Sequence, residues 1–147
     1  MDTSTLERYV EEDCRISKLL GGVLPKDLLP PPSSSVKLFI VNLDTSKKPG
    51  SHWIALLITT SYLCEYFDPL GNNMDDFIKD YFKVHSLTVL YNTKQCQNST
   101  STSCGKFCLF YCFLKARCTT FQEILNYFKD NTIYNETLVE EFYLLTS

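Results

Sequence analysis

The chain has 147 residues and a formal net charge of −3, from 14 Lys and Arg against 17 Asp and Glu. This length suits a single domain spanning residues 1–147. The longest apolar run, residues 107–114, is much shorter than the roughly 18 residues that span a bilayer. A nucleic-acid-binding surface would be basic, so the acidic excess argues against one. We therefore expect neither membrane association nor a dedicated nucleic-acid interface.

The hydrophobic pattern predicts helices, strands, a helix, a strand and further helices, in that order along the chain. Runs rich in β-branched and aromatic residues indicate the strands, and two of them are separated by so few residues that they predict a hairpin. The predicted strands are residues 37–43, 53–59, 62–67 and 87–91. This order favours an α+β domain with a central mixed β-sheet flanked by helices.

Helices are predicted where apolar residues recur every three or four positions after a capping residue. We expect a second helical turn to reach Leu20 and to end at Gly21 and Gly22. The predicted helix starts are a capping box from Ser4 to Glu7, an N-cap at Asn73, Cys104, a capping box from Thr120 to Glu123, and about residue 136. The apolar helix that begins at Cys104 is expected to be buried.

The seven cysteines are an odd number, and the acidic N-terminus does not look like a secretory signal. We therefore expect reduced thiols in an intracellular compartment rather than a disulfide framework. With two histidines and no Cys-x-x-Cys pair, no metal site is expected. Cys108 and Cys112 suit burial as small apolar residues. Cys104 differs because it follows the polar segment 92–103 and starts a helix, whose N-terminus favours the thiolate.

His52 and Asp68 lie on the predicted hairpin, each eight positions from a turn centred near Thr60. If the strands pair regularly, the two residues face each other with Cβ atoms about 4.5–5.5 Å apart. A carboxylate at that distance can orient an imidazole. Together with Cys104, the pair predicts the thiolate–imidazolium site of a cysteine hydrolase. Gly105 would leave backbone room for a substrate carbonyl.

Three motifs, in this order, resemble the adenain-like cysteine proteases and, more distantly, the proteases that process SUMO and other ubiquitin-like proteins. The motifs are Gly50-Ser51-His52-Trp53, Tyr66-Phe67-Asp68-Pro69-Leu70-Gly71, and Gln97 followed by Ser101-Thr102-Ser103-Cys104-Gly105. The segment from Gly22 to Pro30 is similar to one in proteases of Polinton elements and related DNA viruses. The resemblance covers about residues 5 to 118, and its order of His, Asp and Cys is that of the family.

The resemblance implies a catalytic triad. Cys104 would be the nucleophile, His52 the general base and acid, and Asp68 the group that holds the imidazole tautomer and stabilises its cation. No metal and no other cofactor is implied.

The resemblance also assigns groups around the triad. Gln97, seven positions before Cys104, would bind the oxyanion together with the Cys104 backbone N–H. Gln95 is the alternative for this role, because the polar loop permits a slip of two residues. Trp53 would form a wall of the substrate site, or would serve packing alone. Gly105 is the other candidate substrate-binding residue.

The implied function is a cysteine endopeptidase that cleaves viral or mobile-element precursors, such as polyproteins or capsid proteins, at small-residue sites containing glycine. We expect a monomer in the host cytoplasm, the nucleus or the virion. Adenain is stimulated by DNA and by a disulfide-linked peptide, but the net charge of −3 and Ser86, at the place of the peptide-bonding cysteine, make both activators doubtful here and leave a different activator as the alternative. The alternatives are an isopeptidase acting on ubiquitin or SUMO, and a non-catalytic binding module.

Overall fold

A computed structural model describes residues 1–44 and 52–147. It shows a five-stranded mixed sheet in which sequential strands are neighbours: β1 and β2 are parallel, β2–β3 and β3–β4 are antiparallel, and β4 and β5 are parallel. The strands are β1 (Leu20–Pro25), β2 (Lys37–Asn42), β3 (Trp53–Ile58), β4 (Cys64–Phe67) and β5 (Val89–Tyr91). The α+β class with a central mixed sheet is therefore confirmed.

Helices cover both faces of the sheet. Within the described residues they are α1 (Thr3–Glu12), α2 (Cys14–Leu19), α3 (Asp76–Val84), α4 (Cys104–Lys115), α5 (Phe121–Asn126) and α6 (Thr132–Thr146). Because successive strand residues point to opposite faces, β3 contributes Ala55 and Leu57 to a core shared with α1, α2, α4, α5 and α6. Its Ile54 and Leu56 pack instead against β2, β4 and α3. None of these helices is long and apolar enough to cross a membrane.

Strand β1 was missed in the sequence. The prediction of a helical turn ended by Gly21 and Gly22 is wrong at its end, because both glycines lie in β1, which pairs in parallel with β2. A Cβ on Gly21 would lie 2.4 Å from the Phe39 ring, so this residue allows a close approach between β1 and β2. The six residues of β1 carry no alternating hydrophobic pattern of their own. They form a strand because they pair with β2, which lies beyond the proline-rich loop.

Two predicted helix caps are also wrong. Asp2, not Ser4, caps α1 by accepting a hydrogen bond from the Thr5 N–H at 2.9 Å. Asp75, not Asn73, caps α3. In both cases the competing residues are equally good caps, and the packing of the helix selects between them.

The last two helices show one prediction confirmed and one corrected. The capping box of Thr120 and Glu123 is present at the start of α5. Helix α6 begins at Thr132 with Asn131 as its N-cap, one turn before the predicted start near residue 136.

The hairpin of β3 and β4 is confirmed, but its predicted register is wrong. Ala55 pairs with Phe67, and continuing that register places His52 opposite Leu70 rather than Asp68. The connection is longer than predicted because β4 starts only at Cys64, whose thiol donates to the Thr59 carbonyl in the turn. The turn therefore centres one residue later than the sequence suggested.

Candidate active site

Helix α4 places Cys104 at its first position, with Ser103 as the N-cap residue. The helix is apolar nearly all round and lies in the core, where Cys108 and Cys112 are fully buried on the same side as Cys104. All seven cysteines are free thiols. The predicted position of Cys104 at the N-terminus of a buried helix is confirmed.

A cleft of about 550 Å³ opens beside Cys104. Of the residues predicted for the site, it brings His52, Trp53, Gln97 and Cys104 to one surface. The other residues that line it are Met1, Leu43, Leu70, Asn72, Ser101 and Thr102. Gly50 and Ser51, which belong to the His52 motif, lie outside the described residues.

His52 and Asp68 are in direct contact although they are not opposite each other in the hairpin. His52 Nε2 lies 2.7 Å from Asp68 Oδ1. The same carboxylate oxygen accepts the Leu70 N–H at 2.9 Å, so the turn after β4 holds the Asp68 side chain toward the ring. Since Nε2 is engaged by the carboxylate, Nδ1 is the ring nitrogen left to exchange a proton with Cys104.

The protonation of His52 and Cys104 is coupled. Burial lowers the pKa of His52, but hydrogen bonds to the Asp68 carboxylate and the Cys104 sulfur outweigh it and raise this pKa from 6.5 to about 9. Burial raises the pKa of Cys104, and the His52 ring with the Trp53 and Gly105 backbone N–H groups reverses the effect, so this pKa falls below its ordinary value. Both directions favour a thiolate–imidazolium pair near neutral pH.

Asn92 supports Asp68 and was missed in the sequence. Its Oδ1 accepts the Asp68 N–H at 2.9 Å, and its Nδ2 donates to the Asp68 carbonyl at 2.7 Å. Asn92 is 2% exposed and follows β5 directly. The only signal that could have identified it is a polar amide placed immediately after an apolar strand.

The loop before α4 places Gln97 in the cleft. The Cys96 and Gln97 N–H groups both donate to the Pro69 carbonyl at 2.9 Å, which ties this loop to the turn that carries Asp68. Gln97 Nε2 donates to the Ser101 carbonyl at 3.0 Å. Gln97 Oε1 is buried without a partner among the described residues. Gln95 is exposed and is not among the residues that line the cleft.

Trp53 and Gly105 contact the N-terminal segment. Trp53 Nε1 donates to the Met1 carbonyl at 3.2 Å, and the Trp53 side chain also lines the cleft. Trp53 therefore both packs against the N-terminal segment and forms part of the cleft wall. A Cβ on Gly105 would lie 3.3 Å from Leu6 Cδ2 and from Met1 Cβ. The missing side chain of Gly105 therefore makes room for α1, a packing role that the sequence did not predict.

No group of three or more His, Cys, Asp or Glu side chains within residues 1–44 and 52–147 could hold a metal ion. The cleft presents the Cys104 thiol, the His52 imidazole and the Gln97 amide. A thiol beside an imidazole–carboxylate pair, at the start of a buried helix, is an arrangement that cysteine proteases use.

Known proteins with similar sequences are viral proteases. The chain is 33% identical over 130 residues to the protease of bovine adenovirus 7, a match that covers 77% of this chain and 59% of the relative. It is 36% identical over 97 residues to the protease of ovine adenovirus D serotype 7, covering 54% and 48%. It is 30% identical over 84 residues to cysteine protease S273R of African swine fever virus, covering 49% and 31%.

By sequence, the chain is therefore similar to adenovirus proteases and to a viral cysteine protease, as its resemblance to the adenain-like proteases predicted. It spans less than two thirds of the length of each of these relatives. No protein-family model matches the chain. Among solved structures, the selenomethionine form of the African swine fever virus pS273R protease matches with a TM-score of 0.48 and 24% identity, covering 67% of this chain and 42% of that one.

Proposed function

We propose that this chain is a cysteine endopeptidase that acts through Cys104, His52 and Asp68. The observation that carries the proposal is the 2.7 Å contact between His52 and Asp68, beside a Cys104 thiol that interacts with the same ring. An imidazole held by a carboxylate on Nε2 presents Nδ1 to the thiol and remains cationic while the thiolate forms. The relatedness to viral proteases supports the same reading.

The proposed reaction uses each of these groups in turn. Cys104 Sγ attacks the scissile carbonyl carbon, and the electron pair of the C=O bond moves to oxygen. When the tetrahedral intermediate collapses, the C–N bond breaks and His52 gives its proton to the leaving amine, which leaves a thioester on Cys104. His52 then takes a proton from water as the water attacks the thioester, and the Cys104 thiolate and the acid product are released.

Gln97 and the Cys104 backbone N–H are the proposed donors to the oxyanion. Ser101 fixes the Gln97 amide, because its carbonyl oxygen accepts from Nε2 and would repel Oε1. Gln97 Nε2 also lies 3.4 Å from Ser101 Oγ, so its second N–H would exchange this longer contact for the substrate oxyanion. Loss of one oxyanion donor commonly lowers kcat by about 10²–10³-fold. Gln95, exposed and outside the cleft, has no such access.

The proposed substrates are precursor proteins of a virus or mobile element, such as polyproteins or capsid proteins, cut at sites that contain glycine. The similarity to adenovirus proteases supports a viral setting, and the glycine-containing sites are what the resemblance to adenain-like proteases implies. A catalytic thiol requires a reducing environment, which the cytoplasm or nucleus of an infected cell provides. We propose that the enzyme acts as a monomer without DNA or a disulfide-linked peptide.

The test is hydrolysis of a peptide library with glycine-containing sites by the purified chain, compared with Cys104→Ala and His52→Ala. The matched control is Cys118→Ala, which removes an exposed thiol that follows the C-terminal end of α4. This variant should retain full activity. Equal cleavage by the wild type and Cys104→Ala would refute the proposed nucleophile. Reaction with ubiquitin-like C-terminal probes but with no peptide would indicate an isopeptidase, and no reaction at all would indicate a binding module.

A further inference from the structure

Glu136, on α6, faces the segment that carries Gln97 and Cys104. Its Oε1 accepts hydrogen bonds from the hydroxyls of Ser101, at 2.9 Å, and of Ser103. Its Oε2 accepts the Asn98 backbone N–H at 2.9 Å. One carboxylate from a distant part of the chain thus contacts three residues of the loop that precedes the proposed nucleophile.

Other residues around the start of α6 hold the same loop. Asn98 Nδ2 donates to Thr132 Oγ1 at 3.1 Å. The fully buried Asn135 donates through Nδ2 to the Cys96 carbonyl at 3.0 Å. The loop therefore keeps two anchors on α6 that do not depend on the Glu136 carboxylate, and its overall path should survive loss of that group.

The contact with Ser103 bears on the helix N-terminus. A serine at the N-cap ordinarily accepts a hydrogen bond from the second or third N–H of its helix, here Gly105 or Lys106. Within the described residues the Ser103 side chain makes no such bond; its hydroxyl donates to Glu136 and also lies 2.6 Å from Ser101 Oγ, so it is turned away from the helix N-terminus. Burial raises the pKa of Cys104, and the Gly105 N–H is one of the groups that lower it. The Gly105 N–H is therefore available to donate to the Cys104 thiolate instead of to a capping hydroxyl.

The contact with Ser101 bears on Gln97. Ser101 Oγ donates to Glu136 and accepts the Ser103 N–H at 3.1 Å, which fixes the backbone between them. The Ser101 carbonyl in turn accepts from Gln97 Nε2. Glu136 thus reaches both the nucleophile and the proposed oxyanion donor through one serine each.

We propose that Glu136 is a positioning residue for the site: by accepting the Ser101 and Ser103 hydroxyls, it keeps the first N–H groups of α4 uncapped and available to Cys104 Sγ and to the substrate carbonyl. Its effect on turnover rests on the proposed peptidase function. Its effect on the Cys104 thiolate does not, because thiolate formation can be measured without a substrate.

The experiment measures alkylation of Cys104 by iodoacetamide, read by mass spectrometry of the Cys104 peptide, at about pH 6, where ordinary thiols are protonated. In Glu136→Ala the Ser103 hydroxyl keeps only its contact with Ser101 Oγ, and we expect it to turn and cap Gly105 or Lys106. We expect alkylation of Cys104 and kcat to fall about tenfold, the size of one capping hydrogen bond, with KM little changed. Glu140→Ala is the matched control, since Glu140 lies one turn later on α6 and pairs with Lys106 instead of the serines.

Two further variants separate positioning from general stability. Glu136→Gln keeps an oxygen that can accept both hydroxyls, while its NH2 group replaces the acceptor for the Asn98 N–H and the charge is lost. Its alkylation rate should stay within about twofold of the wild type, because the Ser103 hydroxyl keeps its partner. In Glu136→Ala/Ser103→Ala no hydroxyl is left to cap the helix, so the rate should return to that of Ser103→Ala alone. A merely structural role would leave the double variant as slow as Glu136→Ala or slower.

The proposal is overturned if Cys104 is alkylated at the wild-type rate in Glu136→Ala. It is also overturned if Glu136→Ala/Ser103→Ala is alkylated no faster than Glu136→Ala. These outcomes are independent of peptide hydrolysis. If the wild type cleaves no peptide, the proposed function fails, while the alkylation rates still decide the role of Glu136.

Discussion

The contact between His52 and Asp68 makes the pH dependence of the site predictable, and Asp68→Asn is the substitution that tests it. Asparagine has the shape of aspartate and can still accept the Leu70 N–H, so the turn should keep its path. What the substitution removes is the negative charge 2.7 Å from His52 Nε2.

The size of the effect follows from the pKa of His52. A rise from 6.5 to about 9 corresponds to about 3 kcal/mol in favour of the imidazolium, at about 1.36 kcal/mol per pKa unit. Burial opposes this rise, and Asp68 and Cys104 together produce it. One opposite charge in contact commonly shifts a pKa by about 1–3 units. We expect Asp68→Asn to lower the pKa of His52 by about 1–2 units, because the Cys104 sulfur remains.

Asp68→Asn should move both limbs of the pH–rate profile, in opposite directions. The imidazolium is lost as the pH rises through the pKa of His52, so the falling limb near pH 9 in the wild type should move to lower pH in Asp68→Asn. A less cationic ring also stabilises the Cys104 thiolate less, so the rising limb should move to higher pH. The window of activity therefore narrows from both sides.

The assay is kcat/KM and the rate of Cys104 alkylation, each measured across the pH range for the wild type and Asp68→Asn. Asp80→Asn, which removes an exposed carboxylate from α3, is the control for the change in net charge. If the falling limb of Asp68→Asn coincides with that of the wild type, Asp68 does not set the pKa of His52 and the reasoning is refuted.

Two further predictions concern buried polar groups. Asn92→Ala should lower the free energy of unfolding by about 1–3 kcal/mol, because the Asp68 backbone N–H and C=O are left buried without partners; urea denaturation measures this, and an unchanged midpoint would contradict it. Lys115→Met should destabilise by about 3 kcal/mol and Tyr111→Phe by about 1 kcal/mol, since the first leaves the buried Glu65 carboxylate without a cation and the second removes one neutral donor. A larger loss of thermal stability in Tyr111→Phe than in Lys115→Met would contradict the assignment of Lys115 as the cation that compensates Glu65.

Local patterns were sufficient to predict the parts of the site that lie on single elements. The apolar period of α4 and the polar segment before it place Cys104 at a helix start, and β3 and β4 are adjacent in sequence, so their hairpin brings His52 and Asp68 close. The register error did not separate the two residues, because the Asp68 side chain turns toward the ring from the first position after β4. Two side chains at the end of one hairpin can still meet when the strand register differs by two residues from the predicted one.

Contacts between distant segments could not be predicted. β1 forms only because β2 supplies its hydrogen bonds, and the cap of α1 depends on where that helix packs. Asn92 reaches Asp68 across 24 positions, and Glu136 reaches Ser103 across 33. No local property of an asparagine after a strand, or of a glutamate on a helix, indicates which backbone or hydroxyl group it will contact.

The class of the fold, the order of its elements apart from β1, the helix start at Cys104 and the resemblance to adenain-like proteases could all be predicted from the sequence. Each of these depends on neighbouring residues or on motifs. The packed structure was needed to establish which glutamine lies in the cleft, which side chains hold Asp68 and the loop before Cys104, and what occupies the space beside Gly105. Those outcomes depend on burial, and burial is a property of the whole packed chain.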